Sequence, residues 1–293
     1  MNFASDSDPG ARAEIERIDA LATHHDPVHD GVHVRWRRFG DGGSTKPPIV
    51  LLHGGHGSWM HWLRNAEALS ATHTVWLPDM PGFHESDTPP RPAEGQAPLG
   101  PLLRALGGTL DALVGVGTPI HLGGFSFGGL VAANFAVQRG AVRSLVLMGS
   151  GGHATLRRLS IDMVNWKSAA TRAEEREALQ FNLGALMLHD KTFDALAFEV
   201  HDISCHGTRF RSKDVSLSGG LQNAIDTLTC PQLLVWGEFD VTADPRPLVA
   251  SLVHDHPNRE GAVIDGAGHW AQYERADAVN ALLKRWYSAQ EGL

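Results

Sequence analysis

The sequence predicts an α/β protein in which a mostly parallel sheet carries helices on both faces and a helical cap is inserted late in the chain. Three observations carry that reading. Six short apolar runs recur, mostly separated by helix-like stretches, and such alternation requires right-handed crossovers and a mainly parallel sheet. One run ends in Gly124-Phe125-Ser126-Phe127-Gly128 and is followed by the helix-like Leu130 to Val137. Between Gly151 and about Leu228 the strand rhythm lapses into helical segments such as Thr171 to Leu183 and Thr192 to His201.

Taken in order, residues 1–25 read as a polar, alanine-containing extension in which Ala11 to Ala22 either forms an amphipathic helix or stays mobile. Val32 to Phe39 alternates and follows the hairpin-like Asp30-Gly31, which predicts an edge strand. Pro48 to Leu52, Thr74 to Leu77, Ile120 to Leu122, Val142 to Met148, Gln232 to Trp236 and Ala262 to Ile264 are the six apolar strands. The Pro-rich Thr88 to Pro98 is a surface loop, too short to link domains. The expected division is therefore a core of residues 26–150 and 229–293 with a cap of residues 151–228.

Composition excludes several classes. A chain of 293 residues can bury a large core, and no apolar run approaches the roughly 20 residues of a membrane span. A net charge of -8 without any basic stretch argues against a nucleic-acid partner. Cys205 and Cys230 are too few for a disulfide framework, and Met1-Asn-Phe-Ala-Ser-Asp6 lacks a secretory pattern, so a reduced, cytoplasmic setting is expected. The 17 histidines include His24, His25, His29 and His33, yet no zinc-type spacing accompanies them. Neither a metal nor a cofactor is expected, and a homodimer is left open.

In open parallel sheets, ligands bind beyond the carboxyl ends of the strands. Each motif with recognisable chemistry falls there. His53-Gly-Gly-His-Gly-Ser58, Asp79-Met-Pro-Gly82, Ser126, Gly237-Glu-Phe-Asp240 and Gly266-Ala-Gly-His269 all follow apolar runs. Gly124 to Gly128 fits the G-x-S-x-G elbow, in which glycines let a strand and a helix pass close beneath an exposed serine. A serine hydroxyl needs a base and an orienting acid, and His269 and Asp240 supply them in the order Ser126, Asp240, His269. The N–H groups of Phe127 and Gly55 are the candidate oxyanion donors. His56, Phe125 and Trp270 are the candidate substrate contacts. Other readings remain at this point: Ser126 as a helix N-cap, Glu238 or Asp265 as the acid, and Trp270 and Tyr273 as packing residues. Asp79 to Gly82 reads as a structural turn.

With these motifs in place, the chain resembles the α/β-hydrolase fold superfamily over about residues 30–290. Gly266 to Glu274 and His53-Gly-Gly resemble the meta-cleavage product hydrolases, serine enzymes that split carbon–carbon bonds in vinylogous diketo acids. Asp79-Met-Pro-Gly-Phe-His-Glu-Ser-Asp87 is similar to a D-x-P-G-x-G-x-S-D turn, with His84 in place of glycine. Three features depart from that subfamily: Phe125 and Phe127 flank the nucleophile where Asn and Met are usual, His56-Gly57-Ser58 replaces Gly-Pro-Gly, and no arginine stands near Ala197 to Glu199. Arg209 and Arg211 are the stand-ins. The resemblance with these departures implies a cap-bearing serine hydrolase of an ester or related small acyl substrate. Carbon–carbon hydrolysis is the runner-up, and an acyltransferase or ligand-binding receptor of the same fold is a further alternative. Ser126 argues against dehalogenases and epoxide hydrolases of this fold, which place Asp there.

Overall fold

The computed structural model describes residues 7–190, 194–217 and 219–291. The Met1 to Asp6 start and Thr192 of the second expected cap segment lie outside the described residues. The strands are β1 (Thr23–His25), β2 (Val28–His29), β3 (Val32–His33), β4 (Trp36–Phe39), β5 (Ile49–Leu52), β6 (Val75–Pro78), β7 (Ile120–Phe125), β8 (Val142–Met148), β9 (Gln232–Gly237) and β10 (Arg259–Ile264). Eight of them form one sheet in the order β1-β4-β6-β5-β7-β8-β9-β10. The β1–β4 and β4–β6 pairs are antiparallel, and all other neighbours are parallel.

The uniformly apolar runs hide a two-fold alternation. Ile49 and Leu51 of β5 join one core with Val75, Val146 and Val235, while Val50 and Leu52 join the other with Leu122, Leu145 and Leu234. Successive strand side chains point to opposite faces, so a strand covered on both sides must be apolar throughout. The covering helices are α1 (Pro9–Asp19), α2 (Leu63–Ser70), α3 (Gly100–Val114), α4 (Phe127–Arg139), α5 (Arg172–Asn182), α6 (Ala195–His206), α7 (Ser212–Leu217), α8 (Leu221–Asp226), α9 (Pro245–Val253), α10 (Ala271–Glu274) and α11 (Ala276–Gln290). No described helix is long and apolar enough to cross a membrane.

Two expectations need correction. Val32 to Phe39 is not one edge strand: it splits into β3, which pairs with β2, and β4, which lies inside the sheet. The break has a cause, because the backbone of Val34 and Arg35 bonds elsewhere, to the Pro27 carbonyl and to Ser86 Oγ. The true edge is β1, drawn from the segment read as a detached extension. From residue 9 that segment is structured. Asp8 caps α1 through the Ala11 N–H at 2.8 Å, and α1 packs Ile18 into the core and lies against cap helix α6.

The cap lies between β8 and β9. Its helix α5 starts with a reciprocal Thr171–Glu174 capping box and runs into a π-helical turn, Leu183–Met187. Helices α6 and α7 complete it. Helix α8 falls within the expected cap boundaries but packs Leu221, Ala224 and Ile225 into the core cluster that contains α4.

Candidate active site

Ser126 stands between β7 and α4 with φ 54°, a left-handed conformation that costs a non-glycine residue energy and is held here by its surroundings. The flanking glycines explain how. A Cβ at Gly124 would come within 2.1 Å of the Gly128 carbonyl oxygen, and one at Gly128 within 2.2 Å of the His53 carbonyl oxygen. The second collision is with the end of β5, so the elbow is pinned by a neighbouring strand as well as by its own.

Three of the expected residues converge. His269 Nε2 lies 2.9 Å from Ser126 Oγ, and His269 Nδ1 lies 2.8 Å from Asp240 Oδ2. A carboxylate only accepts, so Nδ1 carries the proton and the serine hydroxyl donates to Nε2. The other oxygen of Asp240 accepts from the N–H and hydroxyl of Thr242 at 2.8 and 2.7 Å. Burial opposes ionisation of Asp240, but His269 and Thr242 outweigh it and hold the carboxyl below its usual range. The rival carboxylates are engaged or solvated: Glu238 pairs with Arg246 and the Gly266 N–H, and Asp265 is exposed. Gly149, with φ 52°, passes under the pair, where a Cβ would press on His269 Nδ1 at 3.1 Å.

The loop after β5 faces this triad. A Cβ on Gly54 would touch Ser126 Cβ at 3.2 Å, and one on Gly55 would approach Phe127 Cβ at 3.7 Å. Gly55 and Phe127 therefore flank the same space beside Ser126. The Phe127 N–H opens α4 and has no carbonyl one turn earlier to bond. His53 anchors the base of the loop, donating from Nδ1 to the Gly54 carbonyl at 2.8 Å and accepting the Met80 N–H at Nε2. Burial pushes its pKa down to about 4, so the ring is neutral. His56 turns the loop with φ 53°. The Asp79 turn is structural as expected: its carboxylate accepts the Trp59 N–H and pairs with Arg37 and with His84.

A cavity of about 790 Å³ opens over Ser126 and His269 and is roofed by the cap. His56 and Phe125 line it, together with Leu186, Met187, His201 and Cys205. Trp270 does not line it. Its indole is fully buried, stacks on Tyr273 at 4.2 Å and donates Nε1–H to the His61 carbonyl, so the expected substrate contact is a supporting residue. Arg209 is no stand-in either, because its guanidinium is spent on the carbonyls of His84, Ser86 and Gly207; Arg211 is not in the lining. The cations that do line the cavity are Arg157, Lys167 and Lys213, with Asp162 as a lining carboxylate. None of these three cations has an ion-pair partner among the described residues; Lys167 contacts the Trp166 ring. They escaped the sequence reading because they stand in an irregular segment, a 3-10 turn and a short helix without a motif. A separate groove between α1, α2 and α10, lined by Glu14, Arg17 and Arg64, holds none of the site residues.

Comparison with known proteins bears on the family and the fold. A sequence model of the alpha/beta hydrolase fold matches residues 47–276. The chain belongs to the α/β-hydrolase fold family. This hydrolase is 29% identical over 284 residues to a 2-hydroxy-6-oxononadienedioate/2-hydroxy-6-oxononatrienedioate hydrolase of Burkholderia vietnamiensis, covering 92% of this chain and 96% of that one. Among solved structures it is similar to an esterase of a Rhodococcus species (TM-score 0.73, 21% identity, 92% and 99% covered). It is also similar to a meta-cleavage product hydrolase of Pseudomonas fluorescens (TM-score 0.69, 21% identity, 90% and 97% covered). At that identity the structural likeness speaks to the fold.

Proposed function

We propose that this hydrolase cleaves a carbon–carbon bond beside a ketone in a carboxylate-bearing substrate, with Ser126 as nucleophile, His269 as base and then acid, and Asp240 holding His269. The observation that carries this reading is the cavity lining of Arg157, Lys167 and Lys213, three cations against the single lining carboxylate Asp162. All three cations are exposed, so what they supply is a solvated positive rim that draws an acidic ligand toward the cavity. The curated relatives whose names denote dioic acids support the same class. The ester-first expectation rested on Phe125 and Phe127 beside the nucleophile, the altered oxyanion loop and a missing cap arginine; in this reading residues 157, 167 and 213 supply the charge.

In this reading Ser126 passes its proton to His269 Nε2 as Oγ bonds to the ketone carbon, and the N–H groups of Gly55 and Phe127 receive the oxyanion. In a 2-hydroxy-6-oxo-dienoate the carbon beside the ketone is vinylic, so the enol proton must first move to that carbon; from this keto form the carbon–carbon bond breaks and its electron pair passes into the adjoining C=C–C=O system as a dienolate. The His269 imidazolium returns the proton to the dienolate. Water, deprotonated by His269, finally releases the acyl group from Ser126.

Ester hydrolysis is the second reading, favoured by the uncharged wall of Phe125, Leu186 and Met187 in the same cavity. The two readings share every catalytic group and differ in the leaving group. The test is kcat/KM for 2-hydroxy-6-oxo-6-phenylhexa-2,4-dienoate against a neutral aryl benzoate. A preference of about tenfold or more for the dienoate, about 1.4 kcal/mol, supports carbon–carbon hydrolysis; the reverse preference selects the ester.

A further inference from the structure

His61 lies in the 3-10 turn Trp59–Trp62 directly after the glycine loop and has no part in the triad. Its Nδ1 accepts the Gly54 N–H at 3.1 Å. An imidazole nitrogen that accepts is bare, so His61 is neutral with its proton on Nε2. The ring is clamped. It packs against Phe125 at 5.3 Å and Trp270 at 5.1 Å, and its own carbonyl accepts the Trp270 Nε1–H at 2.9 Å. It also fills the underside of the loop so closely that a Cβ on Gly57 would lie 2.3 Å from His61 Cε1. From the cap side, a Cβ on Gly55 would lie 2.5 Å from Ser212 Oγ, and Ser58 Oγ lies 2.9 Å from Ser204 Oγ.

We infer that His61 is a positioning residue for the oxyanion loop. Gly54 is the residue before Gly55: the hydrogen bond from its N–H to His61 fixes the His53–Gly54 peptide, while His53 Nδ1 holds the Gly54 carbonyl of the next peptide, so the two histidines together fix the Gly54 torsions that aim the Gly55 N–H. Gly57 is glycine because the ring occupies the place of a side chain. This role rests on the proposed reading only in taking Gly55 as an oxyanion donor, and it holds for a ketone or an ester alike.

Asn is the informative replacement. Its Oδ1, like His Nδ1, is bonded to Cγ, so His61→Asn keeps an acceptor at the same reach from the backbone, whereas His61→Leu keeps the branch and loses the acceptor. With p-nitrophenyl butyrate as the probe, His61→Leu is expected to lower kcat by about 10²–10³, the usual effect of losing one oxyanion donor, with KM changed less than about threefold. Affinity for phenylboronic acid, which forms a tetrahedral adduct on serine, should fall in parallel, and His61→Asn should recover kcat to within about tenfold of wild type. His61→Gln, which carries its acceptor one bond farther out and away from the Gly54 N–H, should show the same kcat-only loss and serves if His61→Leu does not fold. The inference is overturned if a folded His61→Leu or His61→Gln retains kcat, if the loss appears in KM alone, or if Asn is as impaired as Leu. Fluorophosphonate labelling of Ser126 in wild type reports on the hydrolase reading separately.

Discussion

Ser212 of the cap and Gly55 of the loop after β5 are in such close approach that the hydroxyl of one occupies the space a Cβ on the other would need, at 2.5 Å. The cap is therefore part of the wall behind the candidate oxyanion donor, and not only a roof over the substrate. Gly55→Ala should lower kcat by about tenfold or more, an overpacking effect on the order of 1–3 kcal/mol. Ser212→Ala in the same chain should restore much of it, because the next atoms, Ser212 Cβ and Phe127 Cβ, stand at 3.4 and 3.7 Å. Kinetics of the two single variants and the double variant check this; a double variant no better than Gly55→Ala places the fault elsewhere.

Ser126, His269 and Asp240 form one hydrogen-bonded chain, so their losses should not add. Ser126→Ala and Asp240→Asn are each expected to lower kcat by about 10⁴, and the double variant should be little worse than the worse single one. Steady-state rates on one activated ester measure this. Full multiplication of the two losses would mean that the groups act separately.

The cation set should read out as substrate preference. Arg157→Ala and Lys213→Ala are each expected to raise KM for the phenyl dienoate about three- to tenfold while leaving a neutral ester within about twofold, and added salt should weaken the wild-type preference. An equal loss for both substrates would show that the side chains act on cap folding instead.

The pH dependence of stability should carry a signature from His206, which joins two cap helices. Its Nδ1 faces the Asp202 carbonyl at 2.8 Å and its Nε2 faces Glu175 at 2.9 Å. Only an imidazolium donates from both nitrogens. The bond to the Asp202 carboxylate, then those to the Asp202 carbonyl and Glu175, push its pKa up to about 9 against burial. A raised pKa stabilises the fold fully below the ordinary histidine value of about 6.5, and the contribution is lost as pH rises through about 9. Thermal unfolding should thus show a loss on the order of 1–2 kcal/mol between pH 7 and 10, discounted for partial solvation, and His206→Gln should flatten that part of the profile. An identical slope in the variant assigns the effect to another group.

The elbow, the base and the acid are legible in the sequence because each occupies a short motif at the end of an apolar strand, where a parallel sheet must put its ligand. Steric demands make the signal sharp: Gly124 and Gly128 each face a backbone carbonyl about 2 Å from where a Cβ would sit. The specificity side is illegible for a related reason. Arg157 comes from irregular backbone, Lys167 from the three-residue 3-10 turn Trp166–Ser168 and Lys213 from a short helix, so no period announces them, and only folding brings them over Ser126. Trp270 shows the limit of adjacency. It follows His269 directly, yet its main-chain N–H donates to the Met187 carbonyl at 2.7 Å and its ring turns to Tyr273. His61 had no motif to flag it, and what reveals it is a hydrogen bond across seven residues.

The ion pair between Arg12 of α1 and Glu199 of α6 spans 187 residues, and that separation ties the start of the chain to the cap. Helix α1 precedes β1 to β8 and α5 in the chain, whereas α6, the surface that holds its arginine, follows them. Glu199, whose side chain is 2% exposed, is in turn an ionisable group without this partner unless α1 is in place. The N-terminal helix is thus a brace for the cap, and loosening either one leaves a charge of the other without this partner.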